Sequence, residues 1–590
     1  MIRKWEKIQS ADPKTAEEVT KAIGVSPLIA SLLAQRGIHD YESAKKFFRP
    51  SLEDLHDPFL MRDMDKAVDR LTTAFHKNEK VLVYGDYDVD GTTAVTLVYS
   101  FLKKLDVVCD YYIPDRYAEG YGFSFQSVEY AAENGFQLII TLDCGVRDVA
   151  KIARAKELGI DVIVCDHHNP DVLPDAVAVL DPKRTDCLYP FKGLSGCGVG
   201  FKLLQAFSIQ HDLPQEELYT YLDLLTISIG ADIVPLEEEN RVLAFHGLLS
   251  LAGERRPGIS AMLSLAGFKK AELTITDVVF LLAPRINAAG RIFSGKQAVA
   301  LLLENDIQTA KKLAAQLEEN NKSRRSLDKE ITIEAKEQVT QDAFYLTSFS
   351  TVVESDRWHK GVVGIVASRL VEAYYKPAIV LVRHDDKLSG SARSIDGIDL
   401  FDVLSECSDV LEQFGGHAMA AGLSMKPENF TAFRQKFDDI VARHLSHVRP
   451  VPVLKYDEEI TLAEITESFY RVLKQFSPFG PENMNPVFLV RNVTNAKFTK
   501  AVGDTKSHLK LHVRHKSSSL PEMDGIAFDM GHWLQDFEMG NEMDLLFSIE
   551  ENEWNGRTTL QLSVKDIRKS LMPDSPLTSL EHPSFVSNSN

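Results

Sequence analysis

Acidic and imidazole side chains gather where four apolar runs of the sequence end. Side chains of these two types bind divalent metal ions and carry protons in hydrolytic reactions. The apolar runs are VLVYG, LIITL, DVIVC and LLTISIGA. The residues that follow them are Asp86, Asp88, Asp90, Asp143, Asp166, His167, His168 and Asp232. The pattern therefore predicts metal-dependent chemistry, provided that the fold brings the four ends together.

These runs belong to a longer alternation of short apolar segments and helical segments, which extends from Lys80 to about residue 300. The apolar segments are rich in valine and isoleucine, and the text between them, such as TTAVTLVYSFLKKL, has helical character. Buried strands that alternate with helices indicate a parallel sheet covered on both faces. The carboxyl ends of the strands in such a sheet share one crevice, so we expect the acidic and imidazole side chains to converge there.

So many carboxylates in one crevice need compensation, because like charges at close range repel one another. Carboxylate with imidazole favours manganese, with magnesium as a substitute and zinc disfavoured without thiolates. Five or six ligands exceed what one ion takes from protein, and they predict a pair of ions roughly 3.5–4 Å apart, the arrangement that clamps both oxygens in phosphoryl displacement. Taken singly, each aspartate is better explained by a helix cap or turn, and Asp90 by the start of a helix, but four such endings in one sheet favour a metal site.

The remaining sequence predicts a multidomain α/β protein with a second, smaller α/β block and a C-terminal β-rich block. The segment 305–340 contains neither glycine nor proline and predicts one long connecting helix. Strands of alternating polarity after residue 446 predict a small antiparallel barrel or sandwich. The predicted boundaries are 1–74 for an N-terminal helical segment, 75–304 for the first α/β domain, 305–340 for the connecting helix, 341–445 for the second α/β domain, 446–570 for the barrel and 571–590 for a loose tail.

Composition excludes several classes of protein. The chain has 590 residues, of which 44% are hydrophobic, and its formal charge is −19. At roughly 100–200 residues per domain this length predicts about three to five folded domains. There is no uncharged apolar run of the ~18 residues that a membrane span needs, and the first residues lack the apolar stretch of a signal peptide. The six cysteines form no CxxC pair, so we expect buried free thiols, no membrane association and a cytoplasmic location.

The motifs together resemble the DHH phosphoesterase superfamily, whose name is the triplet seen here as Asp166-His167-His168. DYDVDG, TLDCG and ADIVPL are similar to its other metal motifs. PRINAAGRI, SGSARS, FGGHAMAAG and SPFGPENMNPVF narrow the resemblance to the RecJ family of bacterial single-strand-specific exonucleases. The likeness covers roughly residues 25–570. Tyr84 departs from the pattern, since many relatives carry histidine there, and this puts in doubt a contribution from that position.

The resemblance implies a fold, an activity and a set of site residues. It implies a DHH domain, a second domain with the GGH motif and a C-terminal oligonucleotide-binding (OB-like) barrel. Paired ions would activate water for attack on a phosphodiester, and single-stranded DNA would be degraded from its 5′ end to 5′-mononucleotides. The implied metal ligands are Asp86, Asp88, Asp143, His167 and Asp232. The implied catalytic residues are Asp166, His168 as a ligand or phosphate contact, and His417 near the reacting phosphate.

Arginines beside small residues are candidates for binding the substrate's phosphates. Arg285 and Arg291 flank INAAG, and SGSARS supplies Ser391 and Arg393. Arginine forks with exposed backbone amides form a phosphate cradle, although ordinary salt bridges explain isolated arginines equally well. The resemblance implies recognition of the terminal 5′ phosphate by such residues, and it places the glycine-rich segment with Gly415 and Gly416 across the cleft from the metal site.

The C-terminal block reverses the acidic balance locally. Within HLKLHVRH, His508, Lys510, His512 and Arg514 alternate with apolar residues, so a strand would present every basic group on one face. Such a face predicts contact with a phosphate backbone, and the alternative is a solvated antiparallel face. Tyr117, Tyr121 and Phe123 in RYAEGYGF are candidates for stacking on bases.

Two other functions stay open at this point. A small-molecule phosphoesterase acting on pyrophosphate, oligonucleotides or cyclic dinucleotides would keep the chemistry, but it would need neither the basic strand nor the extra C-terminal domain. A nonenzymatic nucleic-acid-binding scaffold would not need the intact acidic and imidazole set. We therefore expect a monomeric exonuclease of DNA repair and recombination, with single-stranded DNA as substrate and single-strand-binding protein and a RecQ-type helicase as partners.

Overall fold

The computed structural model describes residues 3–292, 294–516, 521–554 and 556–570. The chain forms two compact units. The first consists mainly of Arg49–Pro452 together with Pro478–Met484, and the second contains Arg3–Phe48, Val453–Ser477 and the part of the chain from Asn485 onward. The predicted tail 571–590 lies outside the described residues. No helix of the described part of the chain is long and apolar enough to cross a membrane.

The first unit opens with a sheet of five strands that are all parallel. In spatial order the strands are Cys109–Tyr112, Val81–Gly85, Leu138–Leu142, Asp161–Cys165 and Ala178–Leu180. Alternate residues of one strand belong to different cores: Val81 and Val83 pack on one face of the sheet, and Leu82 and Tyr84 pack on the other. The predicted parallel sheet with both faces covered is therefore confirmed.

Helices cover this sheet and extend the first core beyond it. The helices around the sheet are Met64–Lys77, Val89–Lys104, Phe125–Glu133 and Val149–Glu157. Those that follow the last strand are Gly196–Gln210, Gln215–Tyr219, Leu222–Ala231, Glu238–Ala252, Pro257–Leu265, Ile275–Asp277, Ala283–Ile292 and Lys296–Leu303, with a π-helical turn at Val278–Leu282.

One predicted strand end is wrong. The segment LLTISIGA lies in the helix Leu222–Ala231, and Asp232 follows the carboxyl end of that helix. Nearly every side chain of the helix is buried, so the segment has no polar face to mark the helical period. A short apolar run of this kind does not distinguish a buried strand from a buried helix. The site is thus built from three strand ends and one helix end.

The connecting helix, Ile307–Gln341, is one continuous helix of 35 residues, as predicted. At 1.5 Å per residue it is about 52 Å long. Ala310, Ala314 and Leu317 pack into the core of the first α/β domain. Ala335 and Val339 pack into a core of the second α/β domain. One rigid element therefore ties both domains together within the first unit.

The second α/β domain contains a mixed sheet of five strands. In spatial order they are Gln413–His417, Ala420–Met425, Lys387–Arg393, Ala378–His384 and Thr351–Ser355. The last two pair in parallel and the others are antiparallel. The helices of this domain are Phe344–Thr347, Val363–Tyr374, Leu400–Ser405 and Phe430–His444.

The second unit contains the predicted C-terminal barrel. Its seven strands are, in spatial order, Glu458–Glu459, Phe488–Asn495, Met543–Trp554, Arg557–Lys569, Met523–Ala527, His508–His515 and Lys500–Val502. A further pairing between Phe488–Asn495 and His508–His515 closes five of these strands into a ring. Closure removes the open sheet edges, which is the arrangement of an OB-like barrel.

The predicted N-terminal segment 1–74 does not form a unit of its own. Its first part contains the strand Lys4–Lys7 and the helices Pro13–Ile23, Pro27–Ala34 and Tyr41–Phe48, and it belongs to the second unit. The strand Lys4–Lys7 pairs in parallel with Val453–Tyr456. The helix Met64–Lys77 instead packs into the core of the first α/β domain. Sequence reasoning missed this division because the strand pairing joins residues that lie about 450 positions apart.

Candidate active site

Asp86 and Asp88 follow the strand Val81–Gly85, and the backbone there is tightly folded. A Cβ on Gly91 would lie 2.4 Å from the carbonyl oxygen of Asp86, so only glycine lets the helix start so close to the strand end. Asp88 is the N-cap of the helix Val89–Lys104, and its Oδ1 accepts a hydrogen bond from the Gly91 N–H at 3.1 Å. The turn therefore presents two carboxylates at one end of the strand.

Asp143 occupies the end of the neighbouring strand with a left-handed backbone, at φ 59°. His167 follows the next strand, and its Nε2 lies 3.2 Å from Asp143 Oδ1 and 3.5 Å from Asp232 Oδ2. A Cβ on Gly196 would lie 2.5 Å from the Cβ of Asp143, so the helix that begins there also approaches the cluster closely. All five predicted metal ligands are thus brought to one place.

The ligand atoms form three overlapping groups, in each of which they lie within 4.8 Å of one another. The groups are Asp86–Asp88–Asp143, Asp143–His167–His168 and Asp90–His167–Asp232. Asp143 and His167 each belong to two groups. Shared ligands of this kind suit two cations side by side better than one cation alone.

Two of the ligands have buried atoms that lack protein partners. Both carboxylate oxygens of Asp86 and both ring nitrogens of His167 are buried without a hydrogen-bond partner among the described residues. Burial, followed by the charge of Asp88, raises the pKa of Asp86 well above its usual value. Burial raises the pKa of Asp232 to about 9, and the negative charges of Asp90 and Asp88 add to this effect. Unpartnered buried acceptors and mutually repelling carboxylates fit the binding of divalent cations.

Asp90 belongs to the site, although the sequence favoured it as a helix start. It lies in the first turn of the helix Val89–Lys104 and is buried. Its carboxylate accepts hydrogen bonds from the Gly196 and Cys197 N–H groups at 2.6 and 2.8 Å and from the Ser228 hydroxyl at 2.7 Å. Its Oδ2 also lies 3.7 Å from His167 Nε2. Its charge is thus held by the N-terminus of a second helix.

Asp166 and His168 form a pair beside the cluster. Asp166 is buried and accepts hydrogen bonds from the Val146, His167 and His168 N–H groups. Its Oδ1 lies 2.8 Å from His168 Nδ1. Burial opposes ionisation, but the contact with His168 outweighs it and the pKa of Asp166 falls to about 2. Asp166 therefore orients His168, whose Nε2 lies 3.2 Å from the Tyr121 hydroxyl.

A cleft of about 930 Å³ separates this cluster from the second α/β domain. Asp88, His168 and Asp232 line one side of it. The residues of the second domain that line the other side are Ser391, Arg393, Gly415, Gly416 and His417. Burial and the nearby charge of Arg147 lower the pKa of His417, which favours its neutral ring. The GGH segment, which the family resemblance places across the cleft from the metal cluster, lines this cleft, and so do Ser391 and Arg393 of SGSARS.

Arginines form a cationic group beside the cleft. Arg291 is near Arg116, Arg324 and Arg393, and burial together with these charges lowers the pKa of Arg291 to about 10. Burial and the charge of Arg116 likewise lower the pKa of Arg393. The Arg393 guanidinium donates to the Ser391 hydroxyl at 2.7 Å. Arginines that lie close to one another favour the binding of an anion, and Arg393 of this group lines the cleft.

Arg285 does not belong to this group, which corrects the sequence prediction. It is 8% exposed, and its Nε donates to Glu318 of the connecting helix at 2.6 Å. Its NH1 donates to the carbonyl oxygen of Leu281 at 2.6 Å. The ion pair joins the helix Ala283–Ile292 to the connecting helix, and two of the three guanidinium nitrogens of Arg285 are engaged there.

The aromatic residues of RYAEGYGF have different roles. Phe123 is fully buried and cannot stack on a base. Tyr117 donates its hydroxyl to the carbonyl oxygen of Arg291. Tyr121 lines the cleft. Tyr84, the departure from the family pattern, is buried and donates to the Gly122 carbonyl oxygen at 2.7 Å, so it supports this loop.

On the barrel, the strand His508–His515 alternates as predicted. Leu509, Leu511 and Val513 are buried, and Lys510 and Arg514 are exposed. The face is less uniformly basic than the sequence predicted, because His512 lies 2.7 Å from Asp524 Oδ1 and 3.0 Å from Glu522 Oε2. Asp524 belongs to the neighbouring strand, Met523–Ala527, and Glu522 immediately precedes it.

Two exposed aromatic rings that sequence reasoning missed flank the basic strand. Phe498 is 72% exposed and its ring centroid lies 6.3 Å from that of His512. Phe528 is 59% exposed and lies 5.3 Å from the ring of His508. Exposed aromatic rings beside cations form stacking platforms for nucleic-acid bases. Only the strand pairing brings them next to His508–His515.

Comparison with known proteins agrees with this architecture. Three family models match: "DHH family, N-terminal domain" over residues 80–229, "DHHA1 domain" over 344–443 and "RecJ OB domain" over 456–566. The chain is 41% identical over 566 residues to the single-stranded-DNA-specific exonuclease RecJ of Bacillus subtilis strain 168, an alignment that covers 95% of this chain and 70% of the relative.

The same resemblance holds for another relative and for a solved structure. The chain is 34% identical over 567 residues to the RecJ exonuclease of Escherichia coli strain K12, covering 92% of this chain and 96% of that one. The crystal structure of RecJ from Thermus thermophilus in complex with Mn²⁺ superposes with a TM-score of 0.82 at 27% identity and covers 96% of this chain and 80% of that chain. The chain belongs to the RecJ family of single-stranded-DNA-specific exonucleases.

Proposed function

We propose that the protein hydrolyses single-stranded DNA from its 5′ end and releases 5′-mononucleotides. One observation supports this most directly: residues of the carboxylate–histidine cluster and Arg393, one of several arginines that lie close together, line the same cleft. The first can activate water beside a phosphodiester, and the second can hold the terminal phosphate of the strand. The relatives' activity on single-stranded DNA agrees with this division of roles.

Two divalent cations, manganese with magnesium as a substitute, are proposed to occupy the cluster. Asp86, Asp88, Asp143, His167 and Asp232 would hold them. Asp86 and His167 have the unpartnered buried atoms, and burial with neighbouring carboxylates raises the pKa values of the four aspartates. When bound, the cations would lower the pKa of a bridging water and offset the charge that develops on the phosphate. The solved relatives with Mn²⁺ and with Mg²⁺ support this choice of ions.

The remaining site residues orient the substrate. Asp166 keeps the Nδ1 of His168 protonated, so the other ring nitrogen can face the cleft. His417, on the opposite wall, would contact the reacting phosphate. Arg291, Arg393 and Ser391 would hold the terminal 5′ phosphate, with Gly415 and Gly416 allowing the backbone to approach the strand.

The barrel and the cellular context complete the proposal. Lys510 and Arg514 would contact the phosphate backbone of longer strands, and Phe498 and Phe528 would stack on their bases. We propose that the enzyme acts as a monomer in the cytoplasm in DNA repair and recombination. Single-strand-binding protein and a RecQ-type helicase are its proposed partners.

The deciding experiment is digestion of a single strand labelled at either end, with Mn²⁺, beside the matching blunt duplex. Immediate release of labelled mononucleotide from the 5′ end, with the duplex spared, is the expected result. Release from the 3′ end would overturn the proposed polarity. Intact strands together with hydrolysis of pyrophosphate or dinucleotides would instead place the enzyme among phosphoesterases of small substrates.

The crowded carboxylates predict how the stability of the metal-free protein depends on pH. Their pKa values are raised in the folded state, so the folded protein binds more protons than the unfolded chain above about pH 4. The stability that these groups contribute is complete below the unfolded pKa and is lost as the pH rises through the folded values, including about 9 for Asp232. The melting temperature with chelator should therefore fall from pH 5 to pH 9.

Mn²⁺ should reduce this fall, since it replaces protons as the partner of the carboxylates. Differential scanning fluorimetry with and without Mn²⁺ measures both curves. Asp232→Asn should flatten the metal-free curve, and Asp175→Asn, at a carboxylate exposed elsewhere, should not. If the melting temperature falls equally steeply with pH in the presence and in the absence of Mn²⁺, the metal assignment is contradicted.

The barrel predicts a salt-dependent contribution to binding. Reversing Lys510 and Arg514 to Glu should weaken the binding of a long strand and reduce the slope of log K against log salt by about 1.4, at roughly 0.7 for each lost phosphate contact. Cleavage of very short oligonucleotides should be unchanged. Fluorescence anisotropy over a salt series provides the measurement, with Lys565→Glu on another barrel strand as the control. An unchanged slope would show that the face is only solvated surface.

A further inference from the structure

Two cavities adjoin the metal cluster. The first is the cleft described above, and the second, of about 580 Å³, is lined by His167, Lys183 and Glu237 among others. Asp232 and Ile233 line both cavities. A strand that has its terminal phosphate at Arg393 in the first cavity and its first phosphodiester at the cluster can continue past this boundary. The second cavity offers it a path.

Ile233, which lies between the two cavities, has an unusual backbone conformation. Its φ is +58°, a left-handed conformation that is rare and strained for a β-branched residue. Its side chain is nevertheless 66% exposed. An apolar side chain that is held in a strained conformation, and that is not used to fill the core, is available to contact a ligand.

Lys183 lines the second cavity. It follows the strand Ala178–Leu180, and its N–H donates to Asp181 Oδ1 at 2.7 Å, which fixes the turn. Its ammonium makes no ion pair with any residue that the structure describes. Its positive charge partly offsets the rise in the pKa of Asp232 and adds to the lowering of the pKa of His417. The side chain is therefore a cation without an ion pair among the described residues, in a cavity that His167 and Asp232 also line.

The other charged groups of the second cavity lie differently. The Lys192 amine donates to the Cys187 carbonyl oxygen at 2.8 Å. Glu237 and Glu238 add two carboxylates, and Glu238 Oε2 lies 3.5 Å from His56 Nε2. Their negative charge disfavours a long run of phosphates in this cavity. The arrangement suits one phosphate at Lys183.

We propose that the second cavity is the subsite for the nucleotide that follows the scissile bond. Ile233 packs against the base of this second nucleotide, and Lys183 binds the phosphate that joins the second nucleotide to the third. The inference rests on the proposed function and adds to it the first step of the strand's path away from the metal centre. Ile233 and Lys183 are thus positioning residues for the substrate.

Substrate length separates the two contacts. The dinucleotide pdTpdT has a terminal and a scissile phosphate but no phosphate after the second nucleotide, whereas pdTpdTpdT has one. Lys183→Met should lower kcat/KM for the trinucleotide by about tenfold and leave the dinucleotide within twofold. Lys192→Met, in the same cavity, is the matched control and should change neither substrate.

Substitution of Ile233 should affect both substrates equally. Ile233→Gly should raise KM about fivefold for both substrates, since both have a second base, with little change in kcat. Ile233→Val should restore most of the wild-type KM. Because glycine adopts positive φ freely, Ile233→Gly should not lower the melting temperature. A KM defect together with unchanged stability is not expected of a merely structural residue.

Three outcomes would overturn this subsite. An equal loss on both substrates in Lys183→Met would show that Lys183 acts at the metal centre. No loss on the trinucleotide would show that it binds no phosphate. An unchanged KM in Ile233→Gly would show that its side chain contacts no base. If the wild-type protein cleaves neither oligonucleotide, the proposed function itself fails, and the two failures are thereby distinguished.

Discussion

Asp143→Asn is expected to lower hydrolysis of single-stranded DNA by at least about 10³-fold while leaving strand affinity within about twofold. Asp143 belongs to two of the three ligand groups, so its loss should disturb both proposed cation positions. The arginines at the cleft and the barrel are untouched, which preserves binding of the strand. Single-turnover digestion and fluorescence anisotropy measure the two effects separately.

Asparagine is the most informative replacement because it fits the backbone conformation at this position. Asp143 has φ 59°, and asparagine tolerates this left-handed conformation better than alanine does. Removing one of several crowded buried carboxylates should leave the metal-free melting temperature unchanged or raise it, and should reduce the stabilisation by Mn²⁺. If the variant fails to fold, or if it retains a tenth of the wild-type rate, the assignment of Asp143 as a metal ligand is wrong.

Arg393→Gln should lower kcat/KM for a 5′-phosphorylated strand by about 10- to 100-fold and for a 5′-hydroxyl strand by much less. Hydrogen bonds between charged groups contribute about 1.5–3 kcal/mol, and this range corresponds to the expected loss. Burial and its arginine neighbour lower the pKa of the Arg393 guanidinium, so an anion is its natural partner. The preference of the enzyme for the phosphorylated end should therefore nearly disappear.

Arg383→Gln is the matched control for that variant. Arg383 lies on the adjacent strand of the same sheet, but its guanidinium pairs with Glu354 at 2.5 Å and is exposed. It should retain the wild-type preference. A proportionate loss on both kinds of strand in Arg393→Gln would show that Arg393 acts on the scissile phosphate or the fold rather than on the terminal phosphate.

Much of the site could be predicted because its residues follow buried strands in the sequence. Asp86, Asp143 and His167 lie at strand ends, and parallel strands bring such ends to one edge of the sheet. The sequence also places Asp232 with the other acidic residues, but at the end of a strand, whereas it follows a helix. The helix is almost entirely buried, so its sequence shows no repeating polar face that would distinguish it from a strand. The family motifs added the second wall of the cleft, which no local pattern reveals.

The missed features depend on partners that are distant in the sequence. Asp90 is a site residue because the N-terminus of the helix Gly196–Gln210 lies against it. Arg285 is committed to an ion pair because Glu318 of the connecting helix lies opposite it. The strand Lys4–Lys7 pairs with a segment near residue 455. Sequence patterns identify the chemical type of these residues, whereas their partners are fixed only when the chain folds.

The connecting helix limits how far the two walls of the cleft can move apart. Its 35 residues include no glycine or proline, and its two halves are packed into different cores. A helix of this kind has no internal hinge, since sharp kinks need proline, glycine or an interrupted hydrogen-bond ladder. The two walls of the cleft are therefore held at a fixed separation. A polymer enters a cleft of fixed width by threading its free end. The enzyme therefore selects its substrate by the presence of a strand end rather than by base sequence.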